Sequence, residues 1–209
     1  MHAIEDHKRI IALLKHEVVP AMGCTEPVAV ALCAARAAEL LGTLPERVKV
    51  ELSMNVLKNA MGVGIPGTGM IGLPIAIFLG MRIGKSSYGL EVLKDNHAQA
   101  VEEGKQYIEE GRISIALDEN APDGLYIKVH AEGDGRTSEA IICGEHTRFI
   151  YEAIDDEVLR KEDVKARASE EHDEPTLTMS KIYDFVTQTP IEEISFIEDS
   201  ATMNMAAAE

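Results

Sequence analysis

Ile4, Ile10, Ile11, Leu13, Leu14 and Val18 form one apolar stripe between charged positions, which predicts an amphipathic helix over residues 3–19, ended by Pro20. The next segment is patterned differently. From Val28 to Leu41 it is apolar on nearly every side, and only Arg36 and Glu39 break the run. Such a helix is a buried one. Thr25 suits its N-cap, Glu26 and Pro27 its first turn, and Gly42 its stop. VKVELSMNV (48–56) then alternates and reads as a strand. The loop AMGVGIPGTGMIG (60–72) follows, Pro74 opens a short apolar helix to about Met81, and residues 89–110 read as a more exposed helix.

Strand signals come next: RISIAL (112–117), LYIKVHA (125–131), SEAIIC (138–143) and TRFIYEAI (147–154). Asp134-Gly135 marks a hairpin turn between the second and third. The chain is then polar and acidic to about Pro175, and residues 177–188 and 191–209 read as two helices, the last without a C-cap, as if cut rather than finished. The pattern predicts an α+β fold: N-terminal helices with the glycine-rich loop, an antiparallel sheet in the middle, and C-terminal helices. The expected division is a domain over 1–156, an acidic linker over 157–176, and the C-terminal helices over 177–209.

Composition narrows the function classes. The 209 residues are 45% hydrophobic and only 4% aromatic, with no Trp, which favours close helix packing. A net charge of −16 without a stripe of Lys and Arg argues against nucleic acid as a partner. The longest apolar run, MIGLPIAIFLGM (70–81), is too short to span a bilayer. The N-terminus MHAIEDHKRI is charged and lacks a signal peptide, and the three cysteines form no CxxC pair, so reduced thiols and a cytoplasmic location are expected. No membrane contact is expected, and homo-oligomerisation is left open.

Two stretches carry candidate chemistry. Cys24 stands at a helix mouth, where unpaired N–H groups and a partial positive charge stabilise a thiolate and improve it as metal ligand or nucleophile. Glu26 opposes that effect, and a small residue in a tight turn fits the position too. Cys33 and Cys143 read as core. The run Gly62-Val63-Gly64-Ile65-Pro66-Gly67 matches GxGxxG literally, but Pro66 interrupts the helix a dinucleotide site needs, and no Lys-Ser or Lys-Thr follows for a Walker loop. What remains is either a tight packing loop or a backbone loop whose N–H groups hold a carboxylate. In the second case Lys58, Asn59, Gly64, Gly67, Thr68 and Gly69 are the candidate substrate-binding residues.

PAMGCTEPVAVAL (20–32), NVLKNAMGVGIPGTGMIGLPIA (55–76) and GEHT (144–147) resemble the iron–sulfur L-serine dehydratase α-chain family, in its L-cysteine desulfidase-like branch. The resemblance runs through essentially the whole chain. It implies a 4Fe-4S cluster acting as Lewis acid in β-elimination from serine or cysteine, with pyruvate and ammonia as products plus water or sulfide. It makes Cys24 a cluster ligand and adds His146 to the candidate substrate-binding residues. It also implies a chain about twice this long, with the other ligands in the missing half. Cys33 does not replace them, standing about 13 Å further along the helix axis. The expected partners are a small amino-acid substrate and that missing C-terminal half, or a partner chain supplying it. The rival expectations are a non-catalytic amino-acid or carboxylate binding module, and a structural half that completes a partner.

Overall fold

The computed structural model describes residues 2–164 and 176–208. Among these, residues 21–164 form one compact unit, and residues 2–20 with 176–208 form another.

The larger unit begins with helix α2 (Thr25–Leu41), numbered after the N-terminal helix α1 (His2–Glu17) of the other unit. Strand β1 (Arg47–Leu52) and helix α3 (Met54–Ala60) follow. A small hairpin comes next, β2 (Gly64–Ile65) and β3 (Met70–Ile71), and then helix α4 (Leu73–Ile83). A 3-10 segment (Ser86–Glu91) leads to helix α5 (Ala98–Glu109). Five strands complete the unit: β4 (Ile113–Leu117), β5 (Tyr126–Gly133), β6 (Arg136–Cys143), β7 (Phe149–Ile154) and β8 (Glu157–Lys161).

The sheet runs in the order β4-β1-β5-β6-β7-β8. Every neighbouring pair is antiparallel except β1 with β4, where Val48 stands opposite Ile113 in parallel register. The fold is α+β, and its mostly antiparallel sheet contains one parallel pair. Asp134 and Gly135 both take positive φ, 52° and 72°, as a tight hairpin between β5 and β6 requires.

Alternation sets the two faces of the sheet. Val48, Val50 and Leu52 of β1 are buried with Ile127, Val129, Ala140 and Ile142 of the neighbouring strands. Lys49 and Glu51, a 2.7 Å ion pair, lie on the opposite face with Lys128 and Glu139, 3.2 Å apart. Helix α2 covers the apolar face. The Cys33 thiol donates to the Ala140 carbonyl at 3.3 Å, and the Ser138 hydroxyl donates to the Ala37 carbonyl at 2.7 Å. Helix α4 packs on α2 at Gly80, where a Cβ would overlap the Ala31 carbonyl. Gly42 takes φ 82° and closes α2 with its N–H on Ala38.

Three expectations are corrected. The strand at 48–56 stops at Leu52. Ser53 sends its N–H to the Tyr126 carbonyl (3.0 Å) and its hydroxyl to the Gly124 carbonyl (2.7 Å), and α3 begins at the next residue. The acidic stretch from 157 starts with a strand, β8, whose five residues are all exposed on a sheet edge; residues 165–175 of the expected linker lie outside the described residues. Residues 89–95 are 3-10 and turn, so the helix predicted from 89 begins only at Ala98, capped by His97.

The second unit joins α1 (His2–Glu17) to α6 (Met179–Gln188) and α7 (Phe196–Ala208). The N-terminal helix therefore groups with the C-terminal helices, not with the domain expected over 1–156. Lys181 pairs with Asp6 at 2.8 Å, and the Phe185 ring lies 5.0 Å from that of His7. Among the described residues no helix is long and apolar enough to cross a membrane.

Candidate functional site

Two segments meet at the mouth of α2. Cys24, not Thr25, is the N-cap residue, with extended backbone and no side-chain cap bond. The turn before it is fixed twice. Met22 donates its N–H to the Leu90 carbonyl at 3.0 Å, and Gly23 packs so closely that a Cβ there would sit 3.1 Å from Pro66 Cγ.

Glu26 is the hub. Its Oε2 accepts from the Cys24 thiol at 3.1 Å and from the Thr25 hydroxyl at 3.2 Å, while Oε1 accepts from Asn59 Nδ2 at 3.1 Å. These donors, the thiol foremost, hold the Glu26 carboxyl below its ordinary range despite partial burial. The thiol responds in the opposite sense. Desolvation first, then its bond to the Glu26 carboxylate, raise the Cys24 pKa. The raised pKa runs against the expectation of a thiolate stabilised by the helix mouth: burial acts first, and the nearest full charge is negative.

The glycine-rich segment is more ordered than a cradle. Pro66 and Gly67 (φ 73°) occupy the centre of a turn closed by Thr68 N–H on the Ile65 carbonyl at 3.2 Å, the type II arrangement that needs glycine at its third position. The Thr68 hydroxyl donates to the Ile65 carbonyl (2.7 Å) and accepts from Met70 N–H (2.9 Å). Val63 and Gly72 bond other carbonyls of the segment. These amides and the β2–β3 ladder are thus engaged internally, while Gly67 and Gly69 are exposed at the tip. Gly64 lies in β2 opposite Ile71.

Asn96 stands behind the turn. Its Nδ2 reaches the Pro66 carbonyl at 3.3 Å and lies 3.1 Å from where a Gly67 Cβ would be, while its Oδ1 is buried without a hydrogen-bond partner. Asn96 carries no motif, and its role depends on a contact 30 residues away, so sequence reasoning missed it.

The structure brings Cys24, Asn59 and the Pro66-Gly67 turn together. Lys58 is exposed in the last turn of α3, beside Asn59. His146 is half-buried in the β6–β7 connection. That loop touches the 3-10 segment, since the Thr147 methyl lies 4.0 Å from where a Gly89 Cβ would be, but His146 forms no hydrogen bond to Cys24, Asn59 or the turn. Cys33 and Cys143 are fully buried, and burial pushes both thiols up. Among the described residues no three His, Cys, Asp or Glu side chains gather so as to hold a metal ion.

The chain is similar to proteins named UPF0597. It is 56% identical over 209 residues to one from Phocaeicola vulgatus, covering all of this chain and 48% of that protein. It is 55% identical over 204 residues to one from Bacteroides fragilis (98% and 48%) and 45% over 203 residues to one from Aeromonas hydrophila (95% and 46%). The chain thus spans about half the length of the curated relatives it matches. No protein-family model matches it. No solved structure matches it.

Proposed function

We propose that this chain is the N-terminal part of an iron–sulfur-dependent ammonia-lyase of the cytoplasm, one that performs β-elimination on L-serine or L-cysteine to give pyruvate and ammonia with water or sulfide. The observation that carries the reading is the meeting of two stretches that resemble that family. Asn59 of the second bonds Glu26 of the first at 3.1 Å, and Pro66 of the second packs on Gly23 of the first. The exposed cysteine, Cys24, lies at their junction.

A 4Fe-4S cluster is held by several thiolates, and the residues present do not fit a whole one. Cys33 and Cys143 are sealed in the core, and among the described residues no group of three metal-ligating side chains forms around Cys24. Cys24 is then one ligand, and the others belong to the portion that the longer relatives possess. The chain's own residues bind and orient. The Lys58 ammonium and the exposed tip Gly67–Gly69 offer positive charge and N–H groups to a substrate carboxylate. Glu26, bonded to Asn59, adds to burial in keeping the proton on Cys24.

The test is reconstitution. This chain, co-produced with the remaining half of the Phocaeicola vulgatus relative and loaded anaerobically with iron and sulfide, is expected to form pyruvate, and Cys24→Ala to abolish it. An assembled pair with neither cluster absorbance nor pyruvate overturns the reading. The incomplete ligand set favours a second reading, a non-catalytic module for small carboxylates or amino acids. Saturable binding of L-serine, L-cysteine or pyruvate by the chain, with no turnover from the reconstituted pair, supports it.

A further inference from the structure

Helix α6 uses only part of its apolar surface within its own unit. Lys181 and Phe185, four residues apart, face α1 through Asp6 and His7. Beside that covered line runs a second, uncovered one: Met179 is 81% exposed, Tyr183 70%, Val186 65% and Ile182 40%. At 3.6 residues per turn these four side chains share an arc of about 100°, the width of a stripe that faces a core. The helix is well defined at its start, where the Thr178 hydroxyl accepts from Lys181 N–H at 3.3 Å. A contiguous apolar stripe of this kind marks an interaction surface.

We propose that the α6 stripe Met179–Ile182–Tyr183–Val186 is the docking surface for the polypeptide that makes up the remaining half of the longer relatives. The proposal rests on the reading that this chain is part of a larger protein, and not on its cofactor. Two observations select this occupant. The match to the Phocaeicola vulgatus relative covers every residue of this chain, α6 included, yet only 48% of that protein, so about as much chain again lies outside the match and is available to cover this face. The second observation is charge. Residues 176–208 carry Asp184, Glu192, Glu193, Glu198 and Asp199 against Lys181 alone. A second copy would bring the same net negative charge, which favours instead a partner with an apolar centre and a Lys/Arg rim.

Hydrogen exchange provides the first test. In the full-length Phocaeicola vulgatus relative the segment aligned with Met179–Val186 is expected to exchange at least about tenfold more slowly than in this chain. Equal rates overturn the proposal. The second test uses this chain co-produced with the tagged remaining half of the relative. Tyr183→Glu with Val186→Glu is expected to reduce its retention about tenfold, while Ser180→Glu, on the polar side of α6, leaves retention unchanged. Retention unaffected by the double change overturns the proposal, as does a homodimer of the chain alone that the same change disperses. Both readouts are independent of turnover. A docked but inactive pair therefore sinks the lyase reading and leaves this surface standing.

Discussion

Glu26 Oε2 accepts the Cys24 thiol proton at 3.1 Å, across the first turn of α2. After desolvation, this contact is the next influence that keeps the cysteine protonated, because the carboxylate opposes formation of a thiolate next to it. Glu26→Gln is therefore expected to lower the Cys24 pKa and to raise its alkylation rate at neutral pH severalfold. An unchanged rate would assign the raised pKa to desolvation alone.

The same pair gives a pH window with two limbs. The folded-state pKa of Glu26 is depressed, so its contribution to stability is present above the ordinary carboxylate range and disappears as pH falls through the lowered value. The folded-state pKa of Cys24 is raised, so its contribution is present below the ordinary thiol range and is lost as pH rises through the raised value. Stability from this cluster is thus greatest near neutrality. Urea midpoints measured against pH should show the acid limb weaken in Glu26→Gln and the alkaline limb weaken in Cys24→Ser.

Thiol accessibility separates the three cysteines without reference to pKa. Cys24 is exposed, whereas Cys33 and Cys143 have no exposed surface. A small alkylating agent should modify one equivalent in the folded chain and three in denaturant, with mass mapping to Cys24 in the first case. Early labelling of Cys143 would show that the end of β6 opens readily.

How far the chain could be read depended on the range of the interactions. Helix α2 was legible because its apolar run and Gly42 act locally, and so was the β5–β6 hairpin through Asp134-Gly135. The strand β8, EVLRK, looked like linker because an edge strand carries charge to discourage further pairing. The end of β1 was misplaced because Ser53 is claimed by Gly124 and Tyr126, more than 70 residues away. The parallel neighbour β4 and the grouping of α1 with α6 are likewise non-local, and no periodicity reports them. At the site, Cys24 and the glycine run were visible as unusual local chemistry. The strength of Glu26 as an opposing charge was not, because it depends on a rotamer that Asn59 holds in place.

Gly80 tests the packing beneath the site. A Cβ there would overlap the Ala31 carbonyl, a backbone atom that cannot swing away. Gly80→Ala is expected to force α4 from α2 and to cost about 3 kcal/mol. Gly62→Ala, where a Cβ meets nothing within 4 Å, should cost well under 1 kcal/mol. Comparable urea midpoints for the two variants would contradict the close approach of the helices.

Gly67 separates a structural from a ligand-binding role for the turn. Its φ of 73° is reached freely only by glycine, with asparagine the best-tolerated alternative. Gly67→Asn should therefore cost about 1 kcal/mol, and Gly67→Val, β-branched and only 3.1 Å from Asn96 Nδ2, about 2–3 kcal/mol. Part of the valine penalty is steric, so adding Asn96→Ala should recover some of it, and a double-mutant cycle should show coupling between the two positions. Binding then decides the role. If the exposed Gly67–Gly69 tip holds a substrate carboxylate, L-serine affinity should fall in Gly67→Asn even though the fold survives, because a side chain now stands where the ligand approaches the backbone. If affinity is unchanged in a folded Gly67→Asn chain, the glycine serves the turn alone, and the carboxylate must be sought nearer Lys58 and Asn59.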